Sequence, residues 1–243
     1  MSVLREAVST LRPSAGDRHG PLAPMLVALT FVTGVVDAVS YLELGHVFVA
    51  NMTGNVVFLG FAIAGAKDLS ISSTLIATGA FLVGALAGGR LGAALAIHRG
   101  RLLAIAGNVK LALVAVAFVL SLAGATPEND YARYAFVGLL ALAMGVQNAT
   151  ARRLAVPDLT TTVLTLTLTG LAADSSLAGG KNPNPWRRIM ATVAMFAGAA
   201  IGALLLLRVS VAAVLGLALA LLAVNVIVAH RIARSSEAWT VGG

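Results

Sequence analysis

Short blocks of this chain recur about 111 residues further on. Gly34-Val35-Val36-Asp37-Ala38 returns as Gly145-Val146-Gln147-Asn148-Ala149, an offset of 111. Leu59-Gly60-Phe61-Ala62 returns as Thr169-Gly170-Leu171-Ala172, an offset of 110. Ala77-Thr78-Gly79-Ala80 with Gly84-Ala85 and Gly88 returns as Ala191-Thr192-Val193-Ala194 with Gly198-Ala199 and Gly202, an offset of 114. Three matches at nearly one offset argue that one plan is used twice. The plan is a membrane plan. Only 11% of the 243 residues are charged and 58% are hydrophobic, with mean hydropathy +0.91. A water-soluble domain carries about 25% charged residues, so the lipid bilayer is the solvent this chain is made for. Duplicated membrane halves with interrupted apolar segments are a recurring plan for transporters and channels.

Eight apolar stretches can be marked, at roughly 24–44, 45–66, 71–97, 102–124, 134–151, 157–178, 188–207 and 209–229. A crossing needs about 20 apolar residues. Six read as ordinary spanning helices. The second does not, because Asn51, Thr53, Gly54 and Asn55 interrupt it. The sixth does not either: it opens on Pro157-Asp158 and carries Thr160, Thr161, Thr162, Thr165, Thr167 and Thr169. The odd stretches hold the same place in the two copies, which is the best sequence pointer to a binding site in this class. The Thr/Leu alternation from Thr165 to Thr169 is closer to a strand period than to a helix period. A Thr-rich helix whose hydroxyls bond back to the preceding turn is the other reading.

Charge chooses between two topologies. With six crossings and an inner N-terminus, the cytoplasmic segments hold Arg5, Arg12, Arg18, Arg99, Arg101, Arg152, Arg153, Lys181, Arg187, Arg188, Arg231 and Arg234. The outer segments then hold Lys67, Arg133 and Arg208, a count of 12 against 3. Eight crossings would give 10 against 5. Positive charge belongs inside, so six crossings are expected, with re-entrant segments at 45–66 and 157–178 and inverted halves. The organisation expected is a basic cytoplasmic tail at 1–23, a first membrane repeat at 24–124, a connecting loop at 125–133, a second repeat at 134–230 and a short tail at 231–243. The fold class is all-α, polytopic, in the bacterial plasma membrane with both termini cytoplasmic.

The net charge of +7 sits in short arginine runs between apolar stretches, which points to loops and excludes nucleic acid as a partner. The absence of cysteine excludes disulfides, thiolate metal sites and cysteine nucleophiles. No catalytic motif or metal-ligand pattern is found, so neither an enzyme nor a bound cofactor is expected.

Asp37 lies about 20 Å along the first helix, deep in the hydrocarbon, where an ionisable group is a functional hypothesis by default. It reads either as a proton- or cation-coupling residue or as an anchor for the broken second segment. Its repeat mate, Asn148, cannot ionise. Asn51, Thr53, Asn55, Thr160 and Thr162 supply neutral oxygens and amides, and with Asp37 and Asn148 they form the expected midplane site for a small solute or ion. Arg90, Glu43 and Arg152 are read as gating or ion-pair residues. Arg90 either pairs with Asp37 or extends its side chain to the interface. Glu43 and His46 flank the outer mouth, and Arg152, Arg153 and Asp158 the inner one. Asn108 and Lys110 read as interfacial. The two Gly-x-x-x-Gly pairs serve close helix packing, and the many small residues suit a homodimer.

Two stretches resemble the YoaK-like family of small bacterial membrane proteins. They are Gly34–Tyr41 with Val47–Asn55, and Gly145–Arg153 with Val156–Thr162; the resemblance extends over about residues 24 to 230. It implies six-helix integral membrane proteins and supplies no activity or site residue. The expected function is therefore transport or channelling through a polar midplane site. The rival is a membrane scaffold, sensor or accessory subunit, which needs no such site.

Overall fold

The computed structural model describes residues 10–11, 17–95, 98–181 and 184–241. Arg5 and Arg12 of the expected basic tail lie outside the described residues. Among the described residues from 17 on, eight α-helices follow one another: α1 Leu22–Glu43, α2 Met52–Ile63, α3 Ile71–Ala94, α4 Arg99–Leu122, α5 Asp130–Leu154, α6 Thr165–Ala173, α7 Pro185–Arg208 and α8 Val211–Ile232. No strand occurs among the described residues.

Polar side chains and proline mark the helix starts. Ser70 accepts from Ser73 N, Asn129 from Tyr131 and Ala132 N, and Ser210 from Ala213 N, each filling an orphan donor of a first turn. Pro185 opens α7, where its missing N–H costs nothing. Six helices, α1, α3, α4, α5, α7 and α8, are long and apolar enough to cross a membrane. The other two are not: α2 has 12 residues and α6 has 9, about 18 and 14 Å at 1.5 Å per residue, well under a hydrocarbon core of about 30 Å. These are the second and sixth stretches. The threonines at 165, 167 and 169 are helical rather than strand-like, because an unpaired strand in lipid would leave its backbone groups unsatisfied.

α1 and α5 form the interior. In their apolar windows 72% and 61% of residues are buried, against 28–44% in the other four spans. The outer helices turn Leu82, Leu86, Val119, Phe196, Leu204 and Val224 outward, the apolar coat a bilayer requires.

Helix α1 packs on α7, α5 on α3, and α4 on α8. The first two crossings are repeat mates of each other. A Cβ on Gly34 would lie 2.3 Å from Met195 O, and one on Gly145 2.1 Å from Phe81 O. Reciprocally, Gly198 abuts Phe31 and Gly84 abuts Leu142. Positions 34/145 and 31/142 differ by 111, and 84/198 and 81/195 by 114. Both Gly-x-x-x-Gly pairs are therefore occupied inside the chain, where only glycine lets the backbones approach this closely.

Candidate functional site

Each short helix follows an irregular segment, and each segment is held in part by side chains from the long helix before it. After α1 the chain turns at Gly45 and His46 (φ 94° and 54°) and runs without regular structure through Val47–Asn51 into α2. Asn55, fully buried, grips one residue of this run from both sides: its Oδ1 accepts Phe48 N at 2.9 Å and its Nδ2 donates to Phe48 O at 2.6 Å. Asp37 Oδ1 accepts Ala50 N at 3.2 Å. Tyr41 stacks on Phe48 at 5.0 Å and meets His46 edge-on at 5.3 Å, and Phe48 stacks on Phe58 at 5.8 Å. These contacts satisfy and shield backbone groups that lipid could not.

The second segment is held differently. Ala155, Asp158 and Thr161 take left-handed backbone (φ 50°, 65° and 66°), which for the β-branched Thr161 is strained. Gln147 supports it: Nε2 donates to Thr161 Oγ1 at 3.1 Å and to Thr33 Oγ1 at 2.8 Å, while Oε1 accepts Lys110 Nζ at 2.8 Å. Asn148 Nδ2 donates to Thr162 Oγ1 at 2.8 Å. Arg188, from the first turn of α7, joins the two ends of the segment. Its Nε bonds Asp158 and its Nη1 pairs with Asp174, both at 2.8 Å. Gly170 lies directly under this guanidinium, and a Cβ there would come within 2.8 Å of it.

The two segments meet at a cavity of about 320 Å³. Asn51, Thr53, Gly54, Val57 and Phe58 line it from one side, and Thr162, Val163, Leu164 and Thr165 from the other. Asn51 and Thr162 belong to the corresponding broken segments of the two copies. No ionisable side chain lines it. Helices α2 and α6 both begin here, and neither N-cap residue, Asn51 or Leu164, makes a side-chain capping bond. The free N–H groups and positive dipole ends of two helices thus converge on one small space.

Of the expected site residues, Asn51, Thr53 and Thr162 come together in this lining. Asn148 stands one hydrogen bond behind it, on Thr162, and Asp37 holds Ala50, the residue before Asn51, so each braces its own segment. Asn55 faces inward as a brace, and Thr160 is exposed, its hydroxyl donating to Val163 O at 2.9 Å. The expected Asp37–Arg90 pair does not form. Arg90 is exposed on α3 and makes no ion pair among the described residues, while Asp37 turns toward Ala50. Glu43 is exposed in a separate crevice with Thr126, Glu128 and Ser210. Arg152 and Arg153 line a groove of about 530 Å³ with Phe81, Ala85, Gly89, Asn148 and Ala149.

Lys110 is not interfacial: it is 2% exposed and bonded inside the bundle to Gln147, because the α4 face that carries it packs on α5 rather than reaching headgroups. Asn108 is exposed and bonds His230 at 3.0 Å. The sequence reading missed Gln147 and Arg188 as braces. Gln147 carried a signal, since its repeat mate is the apolar Val36. Arg188 carried none, because beside Arg187 it reads as ordinary loop charge.

Outside the spans, burial and then the Arg99 charge push the His19 imidazole below its ordinary range. His19 and Arg99 belong to a knot at the start of α4, where the Arg99 guanidinium donates to Leu154 O and Trp239 O and ties together, at one end of the bundle, the chain before α1, the end of α5 and the chain after α8.

Residues 25–228 match a family model described as "Protein of unknown function (DUF1275)". The chain belongs to this family. The DUF1275 match begins inside α1 and ends inside α8, so it takes in all six spans and both broken segments. The chain is also 33% identical over 156 residues to the UPF0700 transmembrane protein YoaK of Bacillus subtilis (strain 168). That alignment covers 63% of this chain and 66% of the relative, so the chain spans just under two thirds of the relative's length. The resemblance read from Gly34–Asn55 and Gly145–Thr162 is thereby shown. No solved structure matches.

Proposed function

We propose that this DUF1275 protein conducts a small polar solute or ion through the cavity where its two broken segments meet. One observation carries the reading: the corresponding broken segments of the two copies line the same cavity from opposite sides, through Asn51 and Thr53 on one and Thr162 and Thr165 on the other. Short helices in matching positions of two halves are how secondary transporters build a midplane site. Irregular backbone at membrane depth persists only where it is buried in protein or lines a water-filled space. The reading takes the halves as inverted, the membrane as the bacterial plasma membrane and both termini as cytoplasmic, on the strength of the 12-to-3 loop charge.

The lining favours some solutes over others. Its polar groups are hydroxyls, an amide and free backbone N–H donors, with no carboxylate to hold a cation. Two positive helix ends add to this. A neutral polar solute or an anion suits the site; a cation does not. Asp37 and Asn148 serve as paired braces that fix where Asn51 and Thr162 sit.

Purified protein in liposomes, challenged with urea, glycerol, acetate and nitrate in stopped-flow light scattering, tests the reading. At least one of these should enter faster than in protein-free vesicles. Combined Asn51→Leu and Thr162→Val should cut that rate at least tenfold. No flux above protein-free vesicles for the whole panel would favour the accessory-subunit reading instead.

A further inference from the structure

The groove over Arg152 and Arg153 and the midplane cavity share one wall. Asn148 lines the groove and Thr162 lines the cavity, and the two are joined by the 2.8 Å bond from Asn148 Nδ2 to Thr162 Oγ1. Arginines in the last turn of a helix have an ordinary explanation in the helix dipole and in loop charge. That explanation does not require a groove of about 530 Å³ with two guanidinia in its wall and no carboxylate. Both arginines are exposed, and neither makes a hydrogen bond or ion pair among the described residues. Their donors are free in a space large enough for a small solute.

The other repeat is built with the opposite sign. The mates of Asn148, Arg152 and Arg153 are Asp37, Tyr41 and Leu42, at the same offset of 111. These corresponding positions thus hold two cations and a neutral amide in one repeat, and a carboxylate and no cation in the other. A guanidinium fork matches carboxylate and phosphate oxygens.

We propose that the groove between α3 and α5 is an anion vestibule, that it takes small carboxylate- or phosphate-bearing solutes, and that the Asn148–Thr162 contact is the door between it and the midplane cavity. This rests on the transport reading and names its substrate class. Arg152 and Arg153 collect the anion from the α5 C-terminal side. Parting of Asn148 from Thr162 admits it to the helix N-termini.

The chain has no cysteine, so a single Thr165→Cys places one thiol in the cavity. In micelles of a neutral detergent its reaction rate is measured with sulfonatoethyl methanethiosulfonate (anionic) and trimethylammonioethyl methanethiosulfonate (cationic). The anionic-to-cationic rate ratio is normalised to the same ratio for free 2-mercaptoethanol. The expected normalised ratio is at least 10. Arg152→Gln with Arg153→Gln should bring it near 1, Arg152→Lys with Arg153→Lys should preserve it, and Asn148→Ala should speed both reagents.

A normalised ratio near 1 in the parent, or a ratio indifferent to the double Gln variant, overturns the vestibule, as does a thiol that neither reagent reaches. If phosphatidylglycerol added to the micelles abolishes the preference while millimolar acetate does not, the groove is a lipid headgroup seat and the proposal fails. These readouts concern access and charge, so they are decided whether or not the liposome panel finds a transported solute.

Discussion

The two broken segments occupy the same place in the two copies and are stabilised by different chemistry. The first is largely self-contained. Asn55 grips Phe48, Asp37 holds Ala50, and the Tyr41, Phe48 and Phe58 rings close over the run, all within α1, α2 and the loop between them. The second is wired outward. Thr161 is held by Gln147, which is itself tied to Lys110 on α4 and Thr33 on α1, and both ends are joined by Arg188 on α7. A self-contained segment moves as a unit without disturbing its neighbours. A wired one cannot move without breaking its bonds to α5 and α7, and through Gln147 it is coupled to α4 and α1, so any rearrangement of the bundle is felt there first.

That contrast can be broken most sharply at Arg188. Arg188→Met leaves the partly buried Asp158 and the half-exposed Asp174 without their partner, and losing hydrogen bonds between charged groups of this kind costs about 1.5–3 kcal/mol. Equilibrium unfolding in mixed micelles should show a loss of this size. A loss below about 1 kcal/mol, the range of a surface pair, would mean the second segment does not depend on its outward ties.

A smaller effect tests what the halves share. Gly34→Ala and Gly145→Ala each drive a methyl into a facing backbone carbonyl, and each should cost about 1–3 kcal/mol as an overpacking change. Because the crossings are repeat mates, the two losses should agree within about 0.5 kcal/mol; clearly unequal losses would show that the crossings are alike in sequence only.

The smallest effect belongs to Asp37→Asn. The amide oxygen can still accept from Ala50, so the unfolding free energy should change by no more than about 1 kcal/mol. Any solute flux found in liposomes should survive if Asp37 is a brace. Loss of flux with unchanged stability would give Asp37 a coupling role and make the halves functionally unequal.

Much of this was legible in the residues. The six spans and the two short helices follow from apolar length and from polar interruptions, which the bilayer enforces strictly. Asn51, Thr53 and Thr162 were legible as lining because they interrupt matching stretches. The roles of Asp37, Asn55 and Asn148 were not separable from lining, since a polar residue near a broken segment either faces the ligand space or braces the backbone, and spacing does not say which. Lys110 was misread because distance along a helix says nothing about which side of the helix faces its neighbours. Arg188 stayed hidden because its partners, Asp158 and Asp174, are 30 and 14 residues away on the other side of a turn that only the folded chain closes.

The glycine crossings also bear on how the protein is made. Gly34 on α1 packs against Ala199 on α7, 165 residues later in the chain. At roughly 5–20 residues per second of synthesis, the first helix waits on the order of ten to thirty seconds in the membrane before its main partner arrives. During that interval the small-residue face of α1 is open to lipid and to other nascent helices. Assembly of the two halves is therefore a late event in biogenesis, and the first half cannot be a finished unit when it leaves the ribosome.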